Sequence, residues 1–362
     1  MHSTTRRQFV KQAAASIGGL AILGPTQIFA KASLVKIGVY APSHCALPIV
    51  YAYHNNVLKN NGVNAEIVYC SGMPDIMKKL ITGEIHFAQL MSPMVFQMHA
   101  GQMKAPQKSL AVTQVLGTNG GILGISSQSN IKKVQDLAGK SIGVHSPLMV
   151  HNLILTLLLE KYGLNKNNIN IQTVPMNQIR DALVQKKIDA FINPEPLPTL
   201  LESQKISKSL LMTRMFWNNH PCCVLTTSKK LFDSEQKMVQ DVTRATTISG
   251  LLLDNIAFRK NGIAKIYDFK TPYQKIPLEY LQKAFKPRKS DFYPFPFLSS
   301  GEVIIQQMKK IKLLPEITSP KTLVKDVFQA SFAMNIIKQA AAEAPGASIP
   351  SKPERNETFQ LI

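Results

Sequence analysis

The sequence predicts an α/β fold built as two lobes, and three observations lead there. From Val35 the chain alternates strand-like and helix-like runs, the signature of parallel sheets covered by helices. A second run of the same kind starts at Asp136. Beyond residue 235 the pattern turns helical, which suits a chain returning to close the first lobe.

The elements follow in order. Val35-Lys-Ile-Gly-Val-Tyr40 alternates and is rich in β-branched residues, so it reads as a strand. Residues 47–58 carry apolar side chains at helical spacing and end before the stop signal Asn60-Asn61-Gly62. A strand is expected over 65–69, a helix over 73–81 closed by Gly83, and a strand over 85–90. In the second unit a strand ends at Val144, a helix runs over 148–162 to Gly163, and strand, helix and strand occupy 169–174, 178–185 and 188–192. The short β-rich segments 121–127 and 222–227 are expected to be the crossings between lobes. Helices are expected over 236–260, 278–285 and 303–311, and Pro345, Pro350 and Pro353 mark an extended tail. The resulting division is 33–122 with 224–342 for one lobe, 123–223 for the other, and 343–362 for the tail. In such folds small ligands bind in the cleft at the carboxyl ends of the strands.

The first 32 residues read as an address. Thr5-Arg6-Arg7-Gln8-Phe9-Val10-Lys11 opens a mildly apolar run to Ala30, and Ala30-Lys31-Ala32 has the form of a cleavage site. This order resembles the twin-arginine export signal, which implies a mature protein that begins near Ser33 and works in the periplasm. No later apolar run reaches the ~18 residues of a membrane span.

Composition narrows the function classes. The formal charge of +20 favours anionic partners, yet the lysines are scattered, with no arginine-rich block or aromatic-interleaved basic motif, so nucleic acid is not expected. Cys45, Cys70, Cys222 and Cys223 show no zinc-finger spacing, so no metal is expected. A bridge between adjacent Cys222 and Cys223 would be strained, and sequence pairs no others. No phosphate-binding glycine motif, nucleophile elbow or H-E-x-x-H pair occurs, so neither a nucleotide cofactor nor hydrolase chemistry is expected.

Several segments share their order with one family. Asp136-Leu-Ala-Gly-Lys-Ser-Ile-Gly-Val144, and Ile188-Asp-Ala-Phe with Glu195-Pro196 after it, resemble periplasmic solute-binding proteins of ABC importers. Gly83-Glu-Ile-His-Phe-Ala-Gln-Leu-Met-Ser-Pro-Met94, Val150-His151-Asn152-Leu153, Trp217-Asn-Asn-His220-Pro221 and the ending Ile349 to Phe359 resemble the branch serving nitrate, nitrite, bicarbonate and sulfonates. The resemblance implies the type II binding-protein fold, two lobes closing on a ligand around a hinge, a monomer, no catalysis, and delivery of a small anionic solute to an inner-membrane ABC permease. Two alternatives keep the fold: a ligand sensor for a membrane histidine kinase, and a relative of thiamine-pyrimidine synthesis, which the export signal opposes.

Oxyanion recognition needs converging donors. Ser43 and His44 follow the first strand, where they either cap a helix or face a ligand. Gln89 and Ser92 end the third strand, and Asn119 precedes the first crossing beside a glycine pair that could equally be a turn. His151 and Asn152 open a second-lobe helix whose positive end favours an anion, and the family counterpart of His151 contacts ligand. Glu195 ends a second-lobe strand and could fix a histidine or accept a ligand proton, and His220 is either a hinge or a site residue. The chain departs from the nitrate pattern at Gln89, at Met149-Val150 and at Leu197-Pro198. Those departures imply a roomier, less polar pocket than nitrate needs.

Overall fold

The strands run, in chain order, β1 (Val35–Val39), β2 (Ala65–Tyr69), β3 (Phe87–Met91), β4 (Leu110–Val115), β5 (Thr118–Asn119) and β6 (Gly121–Ser126). They continue with β7 (Ser141–Val144), β8 (Asn170–Thr173), β9 (Ala190–Pro194), β10 (Ser207–Met212), β11 (Cys223–Ser228) and β12 (Ser290–Asp291). The coordinates are a computed structural model that describes residues 33–103, 109–165, 167–347 and 349–361. The export-signal segment lies outside the described residues.

Two five-stranded sheets carry the described chain, ordered β2-β1-β3-β11-β4 and β10-β6-β9-β7-β8. Each is built alike. Three parallel strands (β2, β1, β3 and β8, β7, β9) are followed by one antiparallel strand, β11 or β6, that arrives from the other sheet. Every residue of β3 is buried, as expected for a central strand covered on both faces. This is the mixed α/β architecture the sequence predicted.

The crossings differ from expectation. Segments 121–127 and 222–227 are not linkers: they are essentially β6 and β11, paired inside the two sheets. Their apolar residues belong there, since all but the last residue of each strand is buried. The chain crosses a few residues earlier, where Thr118 bridges Pro221 and the Asn119 amide donates to the His220 carbonyl at 3.1 Å. The helix expected over 47–58 is also two pieces, Leu47–His54 and Val57–Asn60, because Asn56 adopts the left-handed conformation (φ 59°).

The helix Gln236–Asp254 packs on Leu47–His54 and Ala330–Ala340, behind the first sheet. Its Thr243 and Thr246 hydroxyls reach Thr113 (3.0 Å) and Gln114 (2.6 Å) of β4. No helix among the described residues is long and apolar enough to cross a membrane.

Candidate functional site

A cavity of about 500 Å³ lies where the parallel strands of both sheets end. From the first sheet its wall takes Tyr40, Ser43, His44 and Cys45 after β1, residues 71–74 after β2, and Gln89 and Met91 of β3. From the second it takes His145, Met149 and His151 after β7, residues 175–177 after β8, and residues 194–196 at the end of β9. Cys222 and Cys223 close the floor at the start of β11. Four methionines, Met73, Met91, Met149 and Met176, make much of this surface apolar.

Five of the sequence candidates stand on this wall: Ser43, His44, Gln89, His151 and Glu195. His151 is fully buried and sits at the second position of the helix Val150–Lys161. Neither of its ring nitrogens meets a hydrogen-bond partner among the described residues. A buried polar group without a partner is destabilising, so any group that supplied a partner here would be bound favourably. Gln89 is the opposite case. Its Oε1 accepts from the Tyr40 amide (3.1 Å) while its Nε2 donates to Ser43 Oγ (3.1 Å) and points to Cys223 Sγ (3.8 Å), so it fixes the wall. Ser43 Oγ in turn donates to the Tyr40 carbonyl at 2.8 Å.

Glu195 is buried and neutralised. Lys289 Nζ lies 2.6 Å from its Oε1, and the Thr199 amide and hydroxyl donate to the two carboxylate oxygens at 3.1 and 2.9 Å. Burial pushes its carboxyl up from the usual range, against the opposing pull of Lys289.

The other four candidates lie off the wall. Ser92 is buried at the start of the helix Ser92–His99. Asn119 is a clamp between chain segments: its Nδ2 donates to Asp291 Oδ2 (2.8 Å) and Asn219 Oδ1 (3.2 Å), and its Oδ1 accepts from the Asn219 amide (2.8 Å). Asn152 Nδ2 donates to the Pro147 carbonyl at 3.1 Å, tying down its own helix start. His220 stands behind His151, its ring edge-on at a centroid distance of 6.2 Å, with Nε2 2.8 Å from Thr213 Oγ1.

The glycines at the crossing have a steric reason. A Cβ on Gly120, which has φ +77°, would lie 2.6 Å from His44 Nε2, and one on Gly121 would strike His151 Cδ2. The pair lets two imidazoles close on the crossing strands.

The imidazoles around the cavity are pushed toward their neutral forms. Burial holds His44 below the ordinary histidine value and His151 well below it, and takes His220 down to about 3. Among the described residues lining the cavity there is no lysine or arginine. Sequence reasoning missed two features here: the convergence of Cys45, Cys222 and Cys223, all buried free thiols, and the Lys289 partner of Glu195. Adjacent cysteines at 222 and 223 were visible, but nothing local joins them to Cys45 or Lys289 to Glu195.

A family model described as NMT1-like matches residues 30–266, more than half of the chain. The chain belongs to the NMT1-like family. No curated protein matches its sequence. Solved structures similar to this NMT1-like protein include the periplasmic nitrate-binding protein NrtA from Synechocystis PCC 6803, with TM-score 0.79, 18% identity, and coverage of 91% of this chain and 94% of that one. The ligand-binding component of an ABC-type import system from Staphylococcus aureus, with zinc bound, gives TM-score 0.69 and 17% identity over 85% and 99% of the chains. A putative periplasmic sulfonate-binding protein, SsuA, from Methylobacillus flagellatus KT gives 0.68 and 17% over 88% and 98%. At these identities the likeness shows the periplasmic binding-protein fold.

Proposed function

We propose that this NMT1-like protein is an exported solute-binding protein, periplasmic and monomeric, that captures a small, partly apolar anion of the sulfonate class for an ABC import permease. The observation that carries the reading is the cavity between the sheets, with the unpartnered His151 on one wall and methionines around it. Residues from both sheets touch the same space, so a ligand there favours the closed arrangement of the lobes, the basis of capture by hinge closure. A wall of this kind suits a solute with one polar end, met by His151, and an alkyl body against the thioethers. Nitrate has only four atoms and would leave most of a cavity of about 500 Å³ unfilled. The sulfonate and nitrate binders among the structural neighbours support the solute class, and the export motif at Arg6-Arg7 supports the compartment.

A thermal-shift screen tests the reading. Short alkanesulfonates, taurine, nitrate, nitrite and bicarbonate are added to the full chain; a ligand at 100 times its Kd adds about 2.7 kcal/mol of stability. A shift with the alkanesulfonates that is lost in His151→Leu is the expected result. A shift with nitrate and none with any sulfonate would overturn the ligand class, and silence throughout would overturn anion capture.

A further inference from the structure

His44, Cys45 and Cys222 bring three metal-ligating atoms within 4.8 Å of one another, all three residues buried and all on the cavity wall. Local spacing gave no hint of this, because the donors come from two distant segments. The turn His44–Ala46 follows β1 and supplies an imidazole and a thiol, while Cys222 immediately precedes β11. Two of the donors are already in contact: Cys45 Sγ is 3.2 Å from His44 Nε2.

The positions are built. The Cys222 amide donates to the Gly117 carbonyl at 2.9 Å, which fixes the start of β11. A Cβ on Gly117 would stand 2.8 Å from Cys45 Sγ and 2.9 Å from His44 Cδ2, so the backbone there backs directly onto two of the donors. Both donor segments rest on strands of one sheet, β1 and β11 with β3 between them, and donors carried by rigid elements make precise sites.

We propose that a ring nitrogen of His44 and the sulfurs of Cys45 and Cys222 hold a thiophilic d10 cation, Zn²⁺ or Cu⁺, with its open side on the cavity. Two sulfurs and an imidazole are a donor set for soft or borderline ions. No carboxylate belongs to the set, and Glu195 is engaged by Lys289 and Thr199, so hard oxygen-seeking ions find no match. Binding releases the two thiol protons to solvent, leaving two thiolates and a neutral imidazole around the metal. Zn²⁺ with three protein ligands keeps a fourth position, and here that position opens on the solute cavity. This last point rests on the solute reading above: with its two charges balanced by the two thiolates, Zn²⁺ here offers the anionic end of a solute an open coordination position on a wall that has no lysine or arginine.

The test is a titration of the reduced full chain, without solute, by Zn²⁺ against a chromophoric chelator and by Cu⁺ against a cuprous chelator. The expected result is one equivalent bound by at least one of the ions, with sulfur and nitrogen in the coordination shell by X-ray absorption. Cys222→Ser and His44→Gln should each weaken binding at least 100-fold, while Cys70→Ser, outside the set, leaves it unchanged. Circular dichroism checks that the variants fold, and the absorption spectrum of wild type stands even if one does not. Failure to bind either ion, undiminished binding in a Cys45→Ser/Cys222→Ser double variant, or a Cys45–Cys222 disulfide in protein recovered from its native cells would overturn the site. Propanesulfonate is then titrated into metal-loaded and metal-free protein. Binding at least 10-fold tighter to the loaded form is expected; equal binding would overturn the coupling, and a site that takes metal but no sulfonate would overturn the solute reading alone.

Discussion

Lys289 Nζ lies 2.6 Å from Glu195 Oε1 in an ion pair that joins the segment before β12 to the end of β9. Both groups are nearly or fully withdrawn from water. The next residue along the chain, Ser290, is held by Arg259, whose guanidinium donates to the Phe285 carbonyl (3.0 Å) and the Ser290 carbonyl (2.6 Å) and lies over the Phe292 ring. The pair thus converts the one carboxylate on the cavity wall into a neutral unit.

Removing one partner should be worse than removing both. Lys289→Met leaves a buried carboxylate uncompensated and is expected to lose about 3–5 kcal/mol of stability. The double variant Lys289→Met/Glu195→Gln should recover most of that, because no charge remains to be solvated. Denaturant midpoints of the four proteins in this cycle measure it, and a single variant that unfolds at the wild-type midpoint would refute the account.

His151 should trade stability for binding. With both ring nitrogens unpartnered, replacing it by leucine removes an unmet polar requirement and should raise stability by about 1–2 kcal/mol while abolishing solute binding. Acid should tell the same story. Burial, reinforced by His220 and His44, holds its folded-state pKa well below the ordinary 6.5, so the unfolded chain binds the proton first. Wild-type stability is therefore full above the ordinary histidine value and falls as pH drops below it, this residue contributing about 1.4 kcal/mol per pH unit. His151→Leu should flatten that slope between pH 6.5 and 5. An unchanged slope would mean that His151 is protonated in the native state.

The alternation of strand and helix was legible because each element carries its own periodicity and stop signals, as Gly83 does at φ 78° behind the helix Met73–Thr82. The positions of Ser43, His44 and Glu195 beside the cavity were legible too, since residues after parallel strands face the cleft. What local pattern could not show was anything set by partners far along the chain. Asn119 looks like a donor for a ligand until Asn219 and Asp291 are seen to use it, and Gln89 until Tyr40 and Ser43 do. The crossing was misplaced for a related reason: Gly121-Ile-Leu-Gly-Ile-Ser126 has the same local pattern whether it links two sheets or lies within one.

Gly121 offers a test of how tightly the site is packed. A methyl group there would collide with the His151 ring and stand 2.8 Å from Thr213 Cγ2 and Oγ1. Gly121→Ala is expected to lower stability by about 1–3 kcal/mol through overpacking and to weaken solute binding with it. Combining it with His151→Ala, which opens the space, should restore stability but not binding. Thermal melts and ligand titrations on the two variants separate the effects; an additive loss of stability in the double variant would show that the ring is not what Gly121 makes room for.

Among the described residues no helix or strand follows Glu343, and the tail is docked on the body of the protein. Trp217 Nε1 donates to Glu357 Oε2 at 2.7 Å, Ser299 and Ser300 donate to Glu357 Oε1 at 2.9 and 2.5 Å, and Arg355 Nε is 2.8 Å from the same oxygen. Phe359 packs beside Trp217 and Phe216, with ring centroids 5.5 and 5.6 Å away. Arg355 and its neighbours hold Glu357 below the usual carboxylate range despite its burial. Since Trp217 also lies 5.8 Å from His220, the tail braces the back of the histidine pair. Glu357→Ala strands an indole N–H and two hydroxyls and is expected to destabilise the fold by about 1–3 kcal/mol. Trp217 is the sole tryptophan, so its fluorescence reports the loss directly: emission should shift to the red as water reaches the indole. An unshifted spectrum together with an unchanged melting temperature would mean that the tail leaves Trp217 unsupported in solution.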